Sequence, residues 1–397
     1  MDWSPQEATT DRNVSRDGSW VSFARRGSNE QIPSRFFLVS TRTLFCFSIL
    51  VIACILECAQ CTFDVGSDTV VCAPETAAIN AGDLNIFHPA SPPAREIREL
   101  AWLVLGICAV IFVIVEGVLV WAIIRYRKRM ADAGEPVQVF GSNPIELAWT
   151  VIPTIIVFVL ALATLRTIRE VQLTEPPEGS LHVDVIGHQW WWEFRLPTLN
   201  GEGTIITANE LIVPVGRPIW LSLHSADVIH SWWVPRMNGK TDVIPNHINH
   251  TWFQADMPGI FLGQCAEYCG TQHANMLIRV HAVPTAEFEA WCVAQSLPPS
   301  LLTESETTAH SGRDLFLELA CMNCHAIDGV SNGAFGPNLT HLMSRTTIGA
   351  GAAILNPQTL RAWVDDPQNL KVGCNMPSLK LDPNQLDSIV AYLLTLK

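Results

Sequence analysis

Two long apolar runs constrain this chain more than any other feature of its sequence. The first, Leu100 to Ile124, corresponds to about 37 Å of helix, which is enough to span a bilayer with tilt. It ends in a basic cluster at residues 125–129, which the positive-inside rule places in the cytoplasm. The second run extends from Leu147 to Leu165. The sequence therefore predicts a transmembrane helical hairpin over residues 95–170, with everything after about Arg166 outside the cytoplasm.

Composition narrows the class of protein. A length of 397 residues predicts two to three domains, and an apolar content of 48% with only 16% charged residues is typical of a membrane protein. The net charge of −13 argues against a nucleic-acid partner, because a phosphate backbone requires a basic face. Most of the 12 cysteines lie in motifs or apolar runs, so they do not indicate a disulfide framework.

The N-terminal stretch differs from the rest of the chain. Residues 1–35 are polar, rich in Ser and Arg and without periodicity, which predicts disorder. The apolar segment Leu44 to Leu56 has the length of a signal-peptide core, and the basic residues before it match a cytoplasmic flank. We therefore expect residues 1–60 to be a disordered N-terminus with a signal peptide. A retained first helix is the competing interpretation.

After the hairpin, the pattern changes to short runs of β-branched and aromatic residues bounded by Pro and Gly. This pattern covers residues 175–292 and predicts an all-β sandwich or barrel. A linker with little periodicity follows at residues 293–311, and residues 312–397 form a separate small helical unit. The clearest strand candidates are His182–Ile186, Gly203–Thr207, Glu210–Val213, Pro218–Leu223, Asn249–Gln254 and Met276–His281.

A loop before the last of these strands concentrates metal-binding side chains. Soft thiolate and thioether ligands beside imidazole select copper, and two thiolates so close in sequence suggest a bridged copper pair. The alternative is a disulfide between the two cysteines, with the histidine and methionine packed as ordinary side chains. The complete spacing C-x3-C-x3-H-x2-M favours metal. The residues concerned are Cys265, Glu267, Cys269, His273 and Met276.

A second motif opens the C-terminal unit. The sequence Cys321-Met322-Asn323-Cys324-His325 is the C-x-x-C-H signature of c-type haem attachment, in which both thiols bond the haem and the histidine reaches the iron. An electron carrier needs a sixth ligand, and Met/His ligation raises the reduction potential. Met376 is the favoured sixth ligand. Met343 is an alternative, and Met322, inside the motif, is badly placed.

The segment Cys265 to Met276, called the copper loop below, supplies one histidine. An electron-transfer copper site of this kind needs two. His230 is a candidate because it stands at a strand end, after the apolar run that ends at Leu223. Spacing alone does not select it, since an isolated histidine is more often structural than a ligand. The upstream candidates are His182, His188, His224, His230, His247 and His250.

Taken together, these motifs resemble cytochrome c oxidase subunit II in the bacterial form that carries a fused C-terminal cytochrome c domain. The resemblance covers roughly residues 90–397. It implies a cupredoxin-like Greek-key copper domain between the membrane hairpin and a small all-α cytochrome c domain. One departure is Trp191, where many relatives carry Tyr. The segments that carry the resemblance are Ile145 to Pro153, Gly187 to Trp192, Asp227 to Trp232, Lys240 to Asp242, Cys265 to Met276 and Cys321 to His325.

The resemblance implies a role for each residue that matches the family motif. Cys265 and Cys269 would bridge the two copper ions of a mixed-valence CuA centre, and His230 and His273 would each ligate one of them. Met276 and the backbone carbonyl of Glu267 would complete the copper ligands. The Glu267 side chain would reach a magnesium ion shared with subunit I. Electrons would enter toward copper through Trp190, while Cys321, Cys324, His325 and Met376 would hold haem c.

Two acidic residues lie in or beside the membrane spans. Glu116 is costly there unless it faces protein or water, so a neutral hydrogen-bonded group and a proton-relay group are both open interpretations. The resemblance implies that Glu146 lies at the mouth of a proton channel in subunit I. Without the resemblance, Glu146 is simply a polar helix end at the cytoplasmic surface.

The resemblance also implies partners and location. We expect a multi-pass protein of the bacterial plasma membrane, in contact with lipid, oxidase subunit I and other oxidase subunits, with its copper and haem domains on the periplasmic side. A c-type cytochrome would be its electron donor. The alternative is a membrane-anchored haem c and copper electron carrier without an oxidase partner. Copper-free quinol oxidase subunits lack the paired cysteines, and a nitrogen-oxide reductase would need a further cluster of histidines.

Overall fold

The computed structural model describes residues 84–127, 138 and 141–397. All of these residues belong to one compact unit. The expected disordered N-terminus and signal peptide, residues 1–60, lie outside the described residues.

Two long helices form the predicted hairpin. Helix α1 spans Pro92–Arg125 and helix α2 spans Asn143–Val171, and the two pack against each other. Each has a proline at its first or second residue, Pro92 in α1 and Pro144 in α2, and the fixed φ of proline suits a first helical turn. Their apolar windows have no buried residue within this chain, so lipid or other protein must cover them. Pro153 lies inside α2.

The middle of the chain is a β-sandwich, and its two five-stranded sheets have the orders β3-β2-β1-β5-β8 and β4-β10-β9-β6-β7. The β1–β5 and β4–β10 ladders are parallel, whereas the other ladders are antiparallel. The strands are β1 Leu181–His188, β2 Trp191–Pro197, β3 Thr204–Ala208, β4 Glu210–Pro214, β5 Ile219–Ser225, β6 His230–Trp233, β7 Thr241–Val243, β8 Asn249–Phe253, β9 Gly259–Cys265 and β10 Leu277–Val283.

Strand β2 lacks the alternating pattern of a strand with one solvated face, and it was absent from the strands proposed from sequence. Its first four residues are all buried. Trp192 packs edge-on against Trp232 in the sandwich core, with ring centroids 5.6 Å apart. Trp191, on the opposite face, packs with Ala350 of the C-terminal domain. Strand β2 is therefore buried on both faces because a second domain covers the sheet there.

The C-terminal domain is mainly helical, as predicted. Helix α3, Thr285–Gln295, ends the sandwich, and α4, Thr307–Glu318, begins the C-terminal domain. The non-helical connection therefore spans only residues 296–306, shorter than the predicted linker 293–311, because both helices extend into it. The further elements are α5 Cys321–Cys324, α6 Pro357–Asp365, α7 Pro383–Leu393 and two short ladders, β11 Ala326–Ile327 with β12 Ser331–Asn332 and β13 Thr347–Ile348 with β14 Ala353–Ile354.

Helices α4 and α7 cross at very close range. Gly312 of α4 lies so near Ser388 that a Cβ atom would stand 1.9 Å from the Ser388 carbonyl oxygen. Helix α7 begins with a capping box, in which the Asp382 carboxylate accepts from the backbone N–H groups of Asn384 and Gln385. This helix pair forms one side of the domain core, where Phe316 of α4 packs against Tyr392 of α7.

Candidate metal centre and haem cavity

The copper loop is closed at its base by the sandwich. Cys265 is the last residue of β9, and its backbone N–H donates to the Met276 carbonyl at 3.0 Å, immediately before β10. The 3₁₀ turn His273–Asn275 lies between them. Because β9 and β10 pair antiparallel up to the loop, the sheet fixes where the loop side chains begin.

His230 reaches the same place from a different strand. It is the first residue of β6, which pairs with β9 so that Trp232 lies opposite Cys265. The imidazole is fully buried and packs over Gly187, where a Cβ atom would stand 2.8 Å from the ring. Pairing of β6 with β9, rather than any local spacing, therefore brings this histidine to the loop.

Three side chains, two imidazoles and a thioether, converge on a pair of thiols. The Cys265 and Cys269 Sγ atoms are 3.8 Å apart, and both residues are free thiols. His230 Nδ1 lies 3.9 Å from Cys265 Sγ, and His273 Nδ1 lies 3.6 Å from Cys269 Sγ. The buried Met276 places its Sδ 3.9 Å from Cys269 Sγ. The arrangement gives two thiols at the centre with one imidazole beside each.

The electrostatics of this cluster favour one thiolate. Hydrogen bonding with the Cys269 thiol lowers the pKa of Cys265 to about 3, whereas the same contact raises the pKa of Cys269. Although burial disfavours the imidazolium, the Asp227 carboxylate raises the pKa of His230; Asp227 Oδ1 lies 2.8 Å from His230 Nε2. Because Nε2 faces the carboxylate, Nδ1 faces the Cys265 thiol. A carboxylate commonly orients a metal-binding histidine in this way, by contact with the ring nitrogen that does not bind the metal. Two cysteine sulfurs, two imidazoles and a thioether suit copper.

The two glutamates assigned by resemblance lie apart from this buried cluster. The Glu267 backbone carbonyl accepts from Cys265 Sγ at 3.2 Å, while its side chain is exposed. Glu146 is exposed in the first turn of α2, and its carboxylate accepts from the Ser142 N–H at 3.3 Å.

The haem motif lines a cleft in the C-terminal domain. Cys321, Cys324 and His325 share this cleft with Met376, and its empty volume, including the open mouth, is about 1380 Å³. The alternative methionines, Met322 and Met343, pack against the domain core instead. The geometry therefore groups Met376, of these three, with the histidine across one cavity.

The residues of the cleft fit a haem group. His325 Nδ1 donates to the Pro337 carbonyl at 2.8 Å, which fixes the tautomer that leaves Nε2 free to bind iron, and burial lowers the pKa of His325. A Cβ atom at Gly336 would stand 2.6 Å from the imidazole, so glycine makes room for the ring. The half-buried Arg345 lines the cleft, and its buried Nε has no hydrogen-bond partner among the described residues. An unpartnered guanidinium N–H suits the carboxylates of haem.

The copper domain supplies part of the wall of this cleft, including Gln189, Trp190 and Trp191. The Trp190 indole Nε1 donates to the Cys269 carbonyl at 3.0 Å, and the Gln189 amide donates to the same oxygen at 2.7 Å. Gly270, with φ +118°, allows this approach, since a Cβ atom there would stand 3.0 Å from the Trp190 ring. One aromatic side chain thus contacts both the cleft and the copper loop.

Comparison with known proteins identifies the family. Three family models match the chain. The model for "Cytochrome C oxidase subunit II, transmembrane domain" matches residues 80–167, and the model for "Cytochrome C oxidase subunit II, periplasmic domain" matches residues 200–283. The model for "Cytochrome c" matches residues 309–397. Cytochrome c oxidase subunit 2 of Alkalihalophilus pseudofirmus is 34% identical over 327 residues, which cover 81% of this chain and 93% of that protein. The chain belongs to the cytochrome c oxidase subunit 2 family.

Two further proteins are similar to this chain. Cytochrome c oxidase subunit 2 of Bacillus subtilis is 30% identical, over 79% of this chain and 92% of that protein. A solved periplasmic domain of subunit II from Bradyrhizobium japonicum is 34% identical, with a TM-score of 0.29 over 30% of this chain and 96% of that one. Membership of the oxidase subunit 2 family implies a copper centre, its cytochrome c domain implies haem, and the family works in a complex with other oxidase subunits.

The contacts between the two soluble domains of this oxidase subunit were not foreseen from sequence. Lys371 and Glu210 are each almost fully buried at the domain boundary. Burial lowers the pKa of Lys371 to about 8, whereas its three carbonyl acceptors favour the charged ammonium. A single lysine or glutamate carries no motif, so no local signal identified either residue.

Proposed function

We propose that this chain is the subunit through which electrons enter a haem-copper terminal oxidase. A c-type cytochrome donor would reduce haem c held by this chain, and Trp190 would carry the electron toward a binuclear CuA centre. The electron would then continue to subunit I, where oxygen is reduced to water with proton translocation. The observation that carries the proposal is the position of Trp190, which lines the haem cleft and donates to the Cys269 carbonyl.

The proposed copper ligands are those that converge on the thiol pair. Cys265 and Cys269 would hold two copper ions between them, His230 and His273 would each bind one, and Met276 with the Glu267 carbonyl would complete the set. The distances between these groups support the assignment. Four of these residues are buried, His230, Cys265, Cys269 and Met276, and the sheet at the base of the loop holds them in place, so little rearrangement would accompany a change of charge.

The proposed haem ligands line the same cleft as Trp190. Cys321 and Cys324 would attach haem, His325 would bind the iron, and Met376 would be the sixth ligand. The bound haem and copper ions supply reversible one-electron redox chemistry, and Met/His ligation raises the potential of such a haem. The protein holds His325 in one tautomer through Pro337 and excludes water with its apolar core.

The short connection between the soluble domains supports an intramolecular transfer. Only residues 296–306 are non-helical between α3 and α4. The C-terminal domain, called the haem domain below, therefore stays close to the β-sandwich, which is the copper domain. Such a tether gives the donor haem a high effective concentration at the copper centre and replaces a diffusive encounter.

The remaining roles concern the partner subunits. We assign the exposed Glu267 carboxylate to a magnesium ion shared with subunit I, and the exposed Glu146 to the mouth of a proton channel in subunit I. The hairpin α1–α2 crosses the bacterial plasma membrane, with the copper and haem domains on the periplasmic side. The basic end of α1, at Arg125 and the residues that follow, supports this orientation.

The test is time-resolved reduction of the purified membrane complex. A photoreductant injects one electron into haem c, and absorbance of the haem and the copper centre is followed, with EPR of the oxidised complex to count the coppers. We expect a seven-line mixed-valence copper signal and haem reoxidation at the rate of copper reduction, slowed in the Trp190→Leu variant. Haem reduction without copper reduction would refute the relay. Purification of the intact chain without a subunit I would leave the electron-carrier alternative instead.

A further inference from the structure

One buried ammonium joins the two soluble domains at the electron route. Lys371 follows the 3₁₀ turn Pro367–Asn369 of the haem domain, lines the haem cleft and is 3% exposed. Its Nζ donates to three backbone carbonyls: Trp190 at 2.8 Å, Asn275 at 2.8 Å and Gly349 at 2.9 Å. An ammonium has three N–H donors, so the group is fully satisfied.

Two of these carbonyls belong to segments that carry the proposed route. Trp190 contacts Cys269 through its indole. Asn275 is the last residue of the 3₁₀ turn that begins at His273, and it directly precedes Met276. The third carbonyl, of Gly349, belongs to the haem domain and lines the haem cleft. The ammonium therefore links the backbone of the aromatic residue, the backbone between two copper ligands and the wall of the haem cleft.

Docking of the two domains has other support. The Glu210 cluster, defined as Glu210 of β4 with Thr346 and Thr347 of the haem domain, joins the domains by hydrogen bonds onto one buried carboxylate. The Asn375 amide also donates to the Gln189 carbonyl at 2.9 Å. Attachment alone therefore does not require a buried charge beside the copper loop, which is costly unless its partners are good.

We propose that Lys371 is a positioning residue for electron transfer from haem to copper. It holds Trp190 and the 273–276 turn in fixed geometry against the haem cleft, and its positive charge raises the reduction potential of the copper centre. This inference rests on the relay proposed above. A neutral side chain of similar length would loosen both segments and remove the charge together.

The experiment compares variants of the intact, copper- and haem-loaded complex. Lys371→Met removes the ammonium at nearly constant length, and Lys371→Arg retains a charge. Lys380→Met removes an exposed lysine from the same domain. Glu210→Gln weakens docking at the Glu210 cluster and leaves the three hydrogen bonds of Lys371 untouched. The readouts are the haem-to-copper transfer rate, the copper midpoint potential and the copper EPR spectrum.

We expect Lys371→Met to slow transfer by at least about tenfold, as when a group loses its position by about an ångström. It should also lower the copper midpoint potential and alter the copper hyperfine pattern. Lys371→Arg should restore part of the potential. Lys380→Met should match the unsubstituted chain in all readouts, and Glu210→Gln should leave the copper spectrum unchanged.

Unchanged potential and spectrum in Lys371→Met would overturn this role even if transfer slowed, because loosened docking alone explains a slower rate. Equal changes of the copper spectrum in Glu210→Gln would also overturn it. Absence of haem-to-copper transfer in the unsubstituted complex is a different result, which refutes the relay itself.

Discussion

Replacement of Glu210 by Gln tests whether buried hydrogen bonds hold the haem domain on the copper domain. The carboxylate accepts from four donors, the N–H and O–H groups of Thr346 and Thr347, at 2.6 to 3.1 Å. Desolvation lowers the pKa of Arg279 and of Arg345, and the Glu210 carboxylate opposes that shift. Gln has the same shape but loses the charge and turns one acceptor into a donor.

The magnitude follows from the hydrogen bonds that change. A bond to a charged group contributes about 1.5–3 kcal/mol, against about 0.5–1.5 kcal/mol for a neutral bond. Weakening several such bonds, less the desolvation that a neutral amide avoids, costs about 3 kcal/mol of docking free energy. Since about 1.4 kcal/mol is a factor of ten, the undocked population should rise about 100-fold.

Hydrogen exchange of the Leu277 amide measures this population. That N–H donates to the Ala350 carbonyl across the domain boundary at 3.2 Å, away from the substituted side chain. In Glu210→Gln we expect its exchange to accelerate about 100-fold, together with faster protease cleavage within residues 296–306. The exposed Glu289→Gln should change neither. Faster exchange confined to Thr346 and Thr347 would refute the reasoning, because it would report only the loss of local acceptors.

Three further variants test the haem domain. Gly312→Ala forces α4 about 1.5 Å away from Ser388, so we expect it to destabilise the domain by about 2 kcal/mol despite the helix preference of Ala, measured by denaturant unfolding followed at the haem. Gly336→Ala displaces the His325 ring, so the haem should lose its low-spin visible spectrum. Asp382→Ala removes the α7 capping box and should lower the free energy of unfolding by about 1 kcal/mol.

Each of these variants has a control substitution at a nearby exposed residue that does not make the contact being tested. Ser311→Ala, exposed on the same helix turn as Gly312, should be neutral or slightly stabilising. Ala334→Ser, exposed in the loop before Gly336, should keep the low-spin spectrum. Asp387→Ala removes only an exposed ion pair with Arg361 and should cost less than about 0.5 kcal/mol. A loss in a control equal to that in its paired variant would contradict the assigned cause.

Local sequence patterns were enough to predict the membrane hairpin, the sandwich, the copper loop and the haem motif, because residues close together in the chain indicate each of them. A bilayer demands long apolar helices whatever the rest of the fold does. Likewise Cys265, Cys269, His273 and Met276 share one loop, so their spacing alone indicates a common ligand. The fold class predicted from these signals is confirmed by the family matches. Strand β2 escaped the same reasoning, because burial on both faces removes its alternation.

Choices between equivalent residues depended on the tertiary structure. Six upstream histidines look alike in sequence, and pairing of β6 with β9 brings His230 to the thiols. The sequence favoured Met376 as the sixth haem ligand, and the fold lines the cleft with Met376 while the alternatives Met322 and Met343 pack against the core. These distinctions arise from contacts between residues far apart in the chain, which no local spacing encodes.

The sequence by itself determined which chemistry this chain carries: a two-helix anchor, a thiol-rich copper loop and an attachment site for haem. Only the tertiary structure decided how these parts meet, with Trp190 between the cleft and the copper loop and with Lys371 and Glu210 buried at the domain boundary. The physical reason is that ligand motifs are local, whereas burial of a single lysine or glutamate depends on surfaces from two domains. Motifs are therefore visible in sequence, and the interface that connects them is not.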